Sequence, residues 1–163
     1  MMCFSIHANM DDAGIVPIQT GGSGNVKHWV THKLADALGL PWCVFLDSDV
    51  GDSPEQIKSI QKRKVEVEAQ RRAFYSTRKR EIENYLCPQL IKVESGQDVT
   101  YTETCGAKKI IGSTVGMKPD DVIDRFWPAM SADRIIECSM YDDNGSEKSE
   151  LIELSKKIIS LVD

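Results

Sequence analysis

The chain has 163 residues, of which 41% are hydrophobic and 28% charged, so it is about one domain long and can bury a core. Its net charge of −5 excludes whole-surface attraction to nucleic acid and still allows a local basic patch. No run approaches about 18 apolar residues, no basic signal-peptide region opens the chain, and the five cysteines form no C-x-x-C, so a reducing cytoplasm without membrane attachment is expected.

The first predicted element is a short strand, Ile15-Val16-Pro17-Ile18, running into the turn Gly21-Gly22-Ser23-Gly24-Asn25. A helix follows from about Val26, with Trp29, Val30, Leu34, Ala37 and Leu38 as its apolar residues and Gly39 as its stop. Trp42-Cys43-Val44-Phe45-Leu46 is a nearly continuous apolar run, the pattern of a strand covered on both faces in a parallel sheet. Ser53-Pro54-Glu55-Gln56 is a helix start, with a capping serine, a first-turn proline and Gln56 at the capping-box position. No Gly or Pro interrupts the next stretch to Leu86, which reads as one long helix or two abutting ones, stopped by Pro88. Residues 93–104 read as turn with strand or loop, 120–126 and 132–138 as short helices, and Asp143-Asn144-Gly145-Ser146 as a turn. Residues 149–162 form an amphipathic helix with Leu151, Leu154, Ile158 and Leu161 on one stripe. The sum is an α/β fold with a small parallel sheet flanked by helices and a helical C-terminal part.

Ligands of such sheets sit at the carboxyl ends of strands, and two distinctive segments fall there. One is Asp47-Ser48-Asp49, whose two carboxylates at i and i+2 share a side of an extended chain and suit Mg²⁺. The other is the Gly-rich turn. It lacks the Gly-Lys-Ser/Thr of a P-loop and reads equally as a phosphate cradle at a helix N-terminus or as a tight turn. In a helix Lys79 and Arg80 share a face with Glu83, while Glu81 points about 160° away from it. Ile82-Glu83-Asn84-Tyr85-Leu86 sets a carboxylate among core-facing residues, where it needs a counter-charge. Nine basic against five acidic side chains between Glu55 and Glu83 give this segment about +4, which suits a phosphodiester beside an acidic metal site. His28 and His32 lie one turn apart with no evident third metal ligand, and the cysteines read as structural thiols.

Three segments together resemble the Toprim nuclease region of OLD-family (overcoming lysogenization defect) endonucleases and related anti-phage proteins. They are Gly21-Gly22-Ser23-Gly24-Asn25-Val26, Val44-Phe45-Leu46-Asp47-Ser48-Asp49 and Lys79-Arg80-Glu81-Ile82-Glu83-Asn84-Tyr85-Leu86. The match in order and spacing runs from about residue 15 to the end, and Ile-Glu-Asn-Tyr-Leu is its most specific part. The resemblance implies a Toprim-like fold and Mg²⁺- or Mn²⁺-dependent cleavage of DNA, with Asp47, Asp49 and Glu83 as metal ligands. Glu83 and Lys148 would be catalytic, Lys148 as the lysine near the start of the last helix. Gly21, Gly22, Ser23, Gly24, Lys79 and Arg80 would bind phosphate or DNA. A Toprim region opens with a strand ending in a glutamate, whereas the first glutamate here is Glu55, after the Asp-x-Asp. The expectation is therefore a single, N-terminally truncated Toprim-like domain over 1–163. It divides into a sheet core (1–50), a basic helical segment (53–87) and a helical C-terminal part (88–163). Its expected partners are DNA and a separate ATPase subunit or domain, with self-association also open.

Two other functions compete. The absent glutamate favours a non-catalytic, Toprim-derived module that binds nucleic acid or a partner. A HAD-class phosphatase also opens with strand and Asp-x-Asp, but its motif continues with small or hydroxyl residues, and here Val50-Gly51-Asp52 follows.

Overall fold

The computed structural model describes residues 12–20 and 23–161; Gly21, Gly22 and Cys3 lie outside them. The fold is α/β, with a small parallel sheet flanked by helices and a largely helical C-terminal region. The chain divides into two compact units. The first holds residues up to Leu46, then Ser53–Ser76 and Ile152 onward; the second holds Asp47–Asp52 and Thr77–Leu151.

In the first unit, α1 (Ser23–Thr31) and α2 (Leu34–Ala37) replace the single helix expected over 26–39. Lys33 adopts a left-handed backbone, φ 54°, and breaks the run where no glycine announces a break. Gly39 stands at φ 67°, the conformation expected of a helix-stopping glycine. Strand β1 (Cys43–Leu46) pairs in parallel with β2 (Ala73–Ser76), Cys43 opposite Ala73 and Leu46 opposite Ser76. The parallel pairing was expected, but the partner strand is not residues 15–18, which form no strand. With two strands in its sheet among the described residues, β1 is half-buried rather than covered on both faces.

Helix α3 (Pro54–Glu68) starts as its sequence dictates, with Ser53 Oγ accepting from Gln56 N at 3.4 Å and Pro54 in the first turn. It does not continue to Leu86. Arg71 turns the chain at φ 58°, and Ala73-Phe74-Tyr75-Ser76 then becomes β2, so the basic segment is helix, strand and loop. Val26, Val30 and Val67 form the core of this unit, with Trp42, Val44, Leu46 and Phe74 packed on it. Asp36 ties its edge: it accepts from Trp42 Nε1 at 2.9 Å and pairs with Arg72 at 3.2 Å.

In the second unit a 3₁₀ turn, Ile82–Tyr85, precedes α4 (Pro88–Ser95). Pro88 opens α4 instead of ending an earlier helix, because a first-turn proline loses no needed hydrogen bond. Then come α5 (Ala107–Val115), α6 (Val122–Phe126), α7 (Ala132–Cys138) and the hairpin β3 (Met140–Asp143) and β4 (Ser146–Ser149). Asn144 and Gly145, φ 56° and 84°, make its two-residue turn. Tyr85, Ile91, Ile111, Val122, Phe126 and Ile135 are buried. The last helix, α8 (Glu150–Ile159), whose residues from Ile152 on belong to the first unit, buries Leu151, Leu154 and Ile158, while Leu161 of the expected stripe lies past its end and is half-buried. Among the described residues no helix is long and apolar enough to cross a membrane.

Candidate functional site

Asp47 follows directly on the last residue of β1 and begins a six-residue loop belonging to the second unit. Ser48 fastens that loop to the segment after β2: its N–H donates to Thr77 Oγ1 at 2.9 Å and its hydroxyl to the Lys79 carbonyl at 2.7 Å. The Asp49 N–H donates to the Arg80 carbonyl at 3.0 Å, and Asp47 Oδ1 accepts from Ile82 N at 3.0 Å. The two segments are thus laced together, and the lacing brings Asp47 near Glu81 and Glu83, with Asp49 next to Asp47. Asp49 sits at φ 52°, a left-handed conformation that an aspartate tolerates better than most residues. Gly51, at φ 84°, completes the loop, and a Cβ there would stand 2.5 Å from the Thr104 carbonyl oxygen.

Glu83 lies in the 3₁₀ turn, not on a long helix, and is only 6% exposed. The helical geometry expected for Lys79, Arg80, Glu81 and Glu83 therefore does not apply. Glu81 precedes the turn in an extended conformation, is 5% exposed, and acts electrostatically on both Asp47 and Glu83. Its Oε1 accepts from Lys108 N, in the first turn of α5, at 2.8 Å. Reading 78–86 as α-helix sent Glu81 away from the site. The signal that could have found it is its neighbour Asn84, which takes the Glu81 N–H at 2.9 Å and gives its amide to Thr102 O and Cys105 O.

Desolvation governs the charges. Burial pushes the Asp47 carboxyl up to about 6, helped by the negative charges of Glu81 and Asp49. Burial likewise pushes Glu83 up to about 7, with Glu81 and Asp47 adding repulsion. Asp49 is raised by burial and by Asp52, and is eased by Arg80 and Lys108. Four carboxylates thus share one neighbourhood with too little positive charge. In charge and donor type they fit a hard divalent cation. As placed, no three described His, Cys, Asp or Glu side chains are close enough to hold an ion together.

Of the remaining expected residues, only Arg80 adjoins the carboxylates. The Lys79 ammonium turns inward, donating to Cys138 O at 2.8 Å and lying 4.9 Å from the Tyr85 ring centre. Arg80 pairs with Asp52 at 2.5 Å. Lys148 is on β4, two residues before α8 begins, and pairs with Asp143 at 2.5 Å across the hairpin. The cations that act on the carboxylates are Arg80 and Lys108. Ser23 and Gly24 open α1 in the first unit, and His28 and His32 stack in parallel at 5.6 Å. A cleft of about 310 Å³ between Arg78, Tyr141 and Glu150 includes none of the four carboxylates. No protein-family profile matches this chain, and no curated protein or solved structure matches it.

Proposed function

We propose that the chain is a divalent-metal-dependent DNA endonuclease module of the OLD/Toprim type, serving anti-phage defence or DNA processing. One observation carries this: Asp47, Asp49 and Glu83 lie in a single neighbourhood, two of them held near 6 and 7 by burial and mutual repulsion. Such an arrangement destabilises a fold unless a cation uses it, and strongly perturbed carboxylates mark functional sites. Asp47 and Asp49 would hold Mg²⁺ or Mn²⁺, with Glu83 as a third ligand. When bound, such a metal activates water and stabilises charge on the leaving oxygen of a phosphodiester. The chain's own part is to orient the carboxylates through Ser48, Ile82 and Asp49 N–H, and to keep Glu83 shielded from water.

Plasmid DNA incubated with the protein and Mn²⁺ should be nicked, and Asp49→Ala should abolish nicking with the fold retained. Absence of nicking, or nicking indifferent to Asp49→Ala, refutes the proposal. The non-catalytic alternative is favoured by the lack of three close metal-ligating side chains among the described residues. It predicts DNA or partner binding without cleavage, and no divalent-ion binding by calorimetry.

A further inference from the structure

We propose that His28 and His32 form a second metal site, a two-imidazole chelate on the last turn of α1 that takes a borderline transition ion such as Zn²⁺ or Ni²⁺. The site uses no residue of the carboxylate group, so it stands or falls apart from the nuclease reading.

Helical geometry builds the pair. His28 lies in α1, and the His32 N–H donates to the His28 carbonyl at 3.3 Å, so the helical turn continues past Thr31. Lys33, with its left-handed backbone at φ 54°, then ends it. Residues four apart on a helix lie one above the other on the same face. The two rings are parallel to within 7°, and their centres are 5.6 Å apart, close to the helical pitch of about 5.4 Å. Each histidine stands two residues from Val30, about 200° round the helix. Val26 and Val30 fill the core, and both histidines are exposed on the opposite side.

Neither ring is otherwise engaged: among the described residues no hydrogen bond or ion pair holds either imidazole. A histidine near a helix C-terminus can serve as a cation facing the dipole, but two charged rings would repel rather than stack. Two neutral imidazoles at i and i+4 instead present two nitrogen donors on one face, the spacing with which a helix binds zinc. Metal–nitrogen bonds of about 2.0–2.1 Å set two ligand nitrogens roughly 3–4 Å apart. The stacked rings therefore need to lean together, and exposed side chains reorient rapidly. Imidazole selects Zn²⁺, Ni²⁺ or Cu²⁺ over the hard ions that carboxylates favour. The ion would also sit at the negative end of the α1 dipole, with water in its remaining coordination positions.

The test follows the imidazole signals of the full chain, labelled with ¹⁵N-histidine, by NMR as Zn²⁺ is added in the presence of excess Mg²⁺. The variants are His28→Gln, His32→Gln, Asp47→Ala and, for the chain's third histidine, His7→Gln. Zn²⁺ should shift the His28 and His32 rings together, with one midpoint and one ion per chain. Either His28→Gln or His32→Gln should leave the remaining ring unmoved at the Zn²⁺ concentration that saturates the unaltered chain. His7→Gln and Asp47→Ala should keep the paired shift. Separate midpoints for the two rings, a shift that survives in either single variant, or its loss in His7→Gln overturns the assignment. So does the absence of any shift in the unaltered chain at millimolar Zn²⁺, a reading that does not depend on how the variants fold. None of these results touches the nuclease proposal, which rests on other residues.

Discussion

Replacing Glu83 by glutamine should stabilise the protein above neutral pH. Glu83 is 6% exposed, and burial, with repulsion from Glu81 and Asp47, lifts its carboxyl from 4.5 to about 7. That gap is equivalent to about 3 kcal/mol. Between the two values the folded chain keeps a proton that the unfolded chain has released, so stability falls as pH rises through this window. The contribution is intact below the unfolded value and fully lost above the folded one. Glutamine has nearly the same shape and no charge, so it removes the cost at high pH and changes little at low pH. Glu81 and Asp47 share the repulsion, which leaves about 1–3 kcal/mol for the single substitution. The assay is urea unfolding at about pH 8 and about pH 4, followed by the fluorescence of the buried Trp127. A Glu83→Gln protein less stable than the unaltered one at the higher pH, or equally stabilised at both, refutes the electrostatic account.

Three further outcomes follow from the same geometry. Mn²⁺ should raise the melting temperature more at about pH 8 than at about pH 5, because protons compete for Asp47 and Glu83 at the lower pH; an equal rise at both removes these two residues from the ligand set. Gly51→Ala should cost about 1–3 kcal/mol and weaken Mn²⁺ binding, since the left-handed backbone and the Thr104 carbonyl at 2.5 Å both oppose a Cβ; calorimetry and urea unfolding check the two parts separately. Phe126→Ala, at a position 1% exposed, should cost about 3–5 kcal/mol by urea unfolding without altering Mn²⁺ affinity per folded molecule.

Elements announced by local chemistry were legible. Ser53 and Pro54 start α3, Gly39 stands where the second short helix ends, and the Leu151, Leu154 and Ile158 stripe is buried. What failed was every break made without glycine or proline. Lys33 and Arg71 adopt left-handed backbones at φ 54° and 58°, and nothing in their side chains advertises it. The turn at Arg71 hid β2, and with it the partner of β1. It also extended an imagined helix through 82–85, which is a 3₁₀ turn. The Asp-x-Asp and Glu83 were legible from residue type and surroundings. Glu81 and Lys108 were not, because Glu81 enters through an extended backbone and Lys108 through a helix begun 23 residues after the Asn84 that anchors its partner.

Magnitudes decide whether this carboxylate group is a cost of folding or a device. Left alone it opposes folding at neutral pH, by about 3 kcal/mol for Glu83. Neutral residues of similar volume would serve packing as well or better. A doubly charged ion in contact gains on the order of 4 kcal/mol per unit charge from each carboxylate at an effective dielectric of about 20, before dehydration is subtracted. Contacts to two or three carboxylates would be of the same order as the repulsion that the group carries. The basic side chains do not offer an equivalent remedy. Lys79 is turned to carbonyl oxygens and Lys148 to Asp143, while Arg80 and Lys108 offset the charge only in part, Arg80 being paired with Asp52. The net negative charge of the chain and its proposed attraction to DNA then cease to conflict. The proposed divalent ion would turn this acidic locality into one where a phosphate can be held.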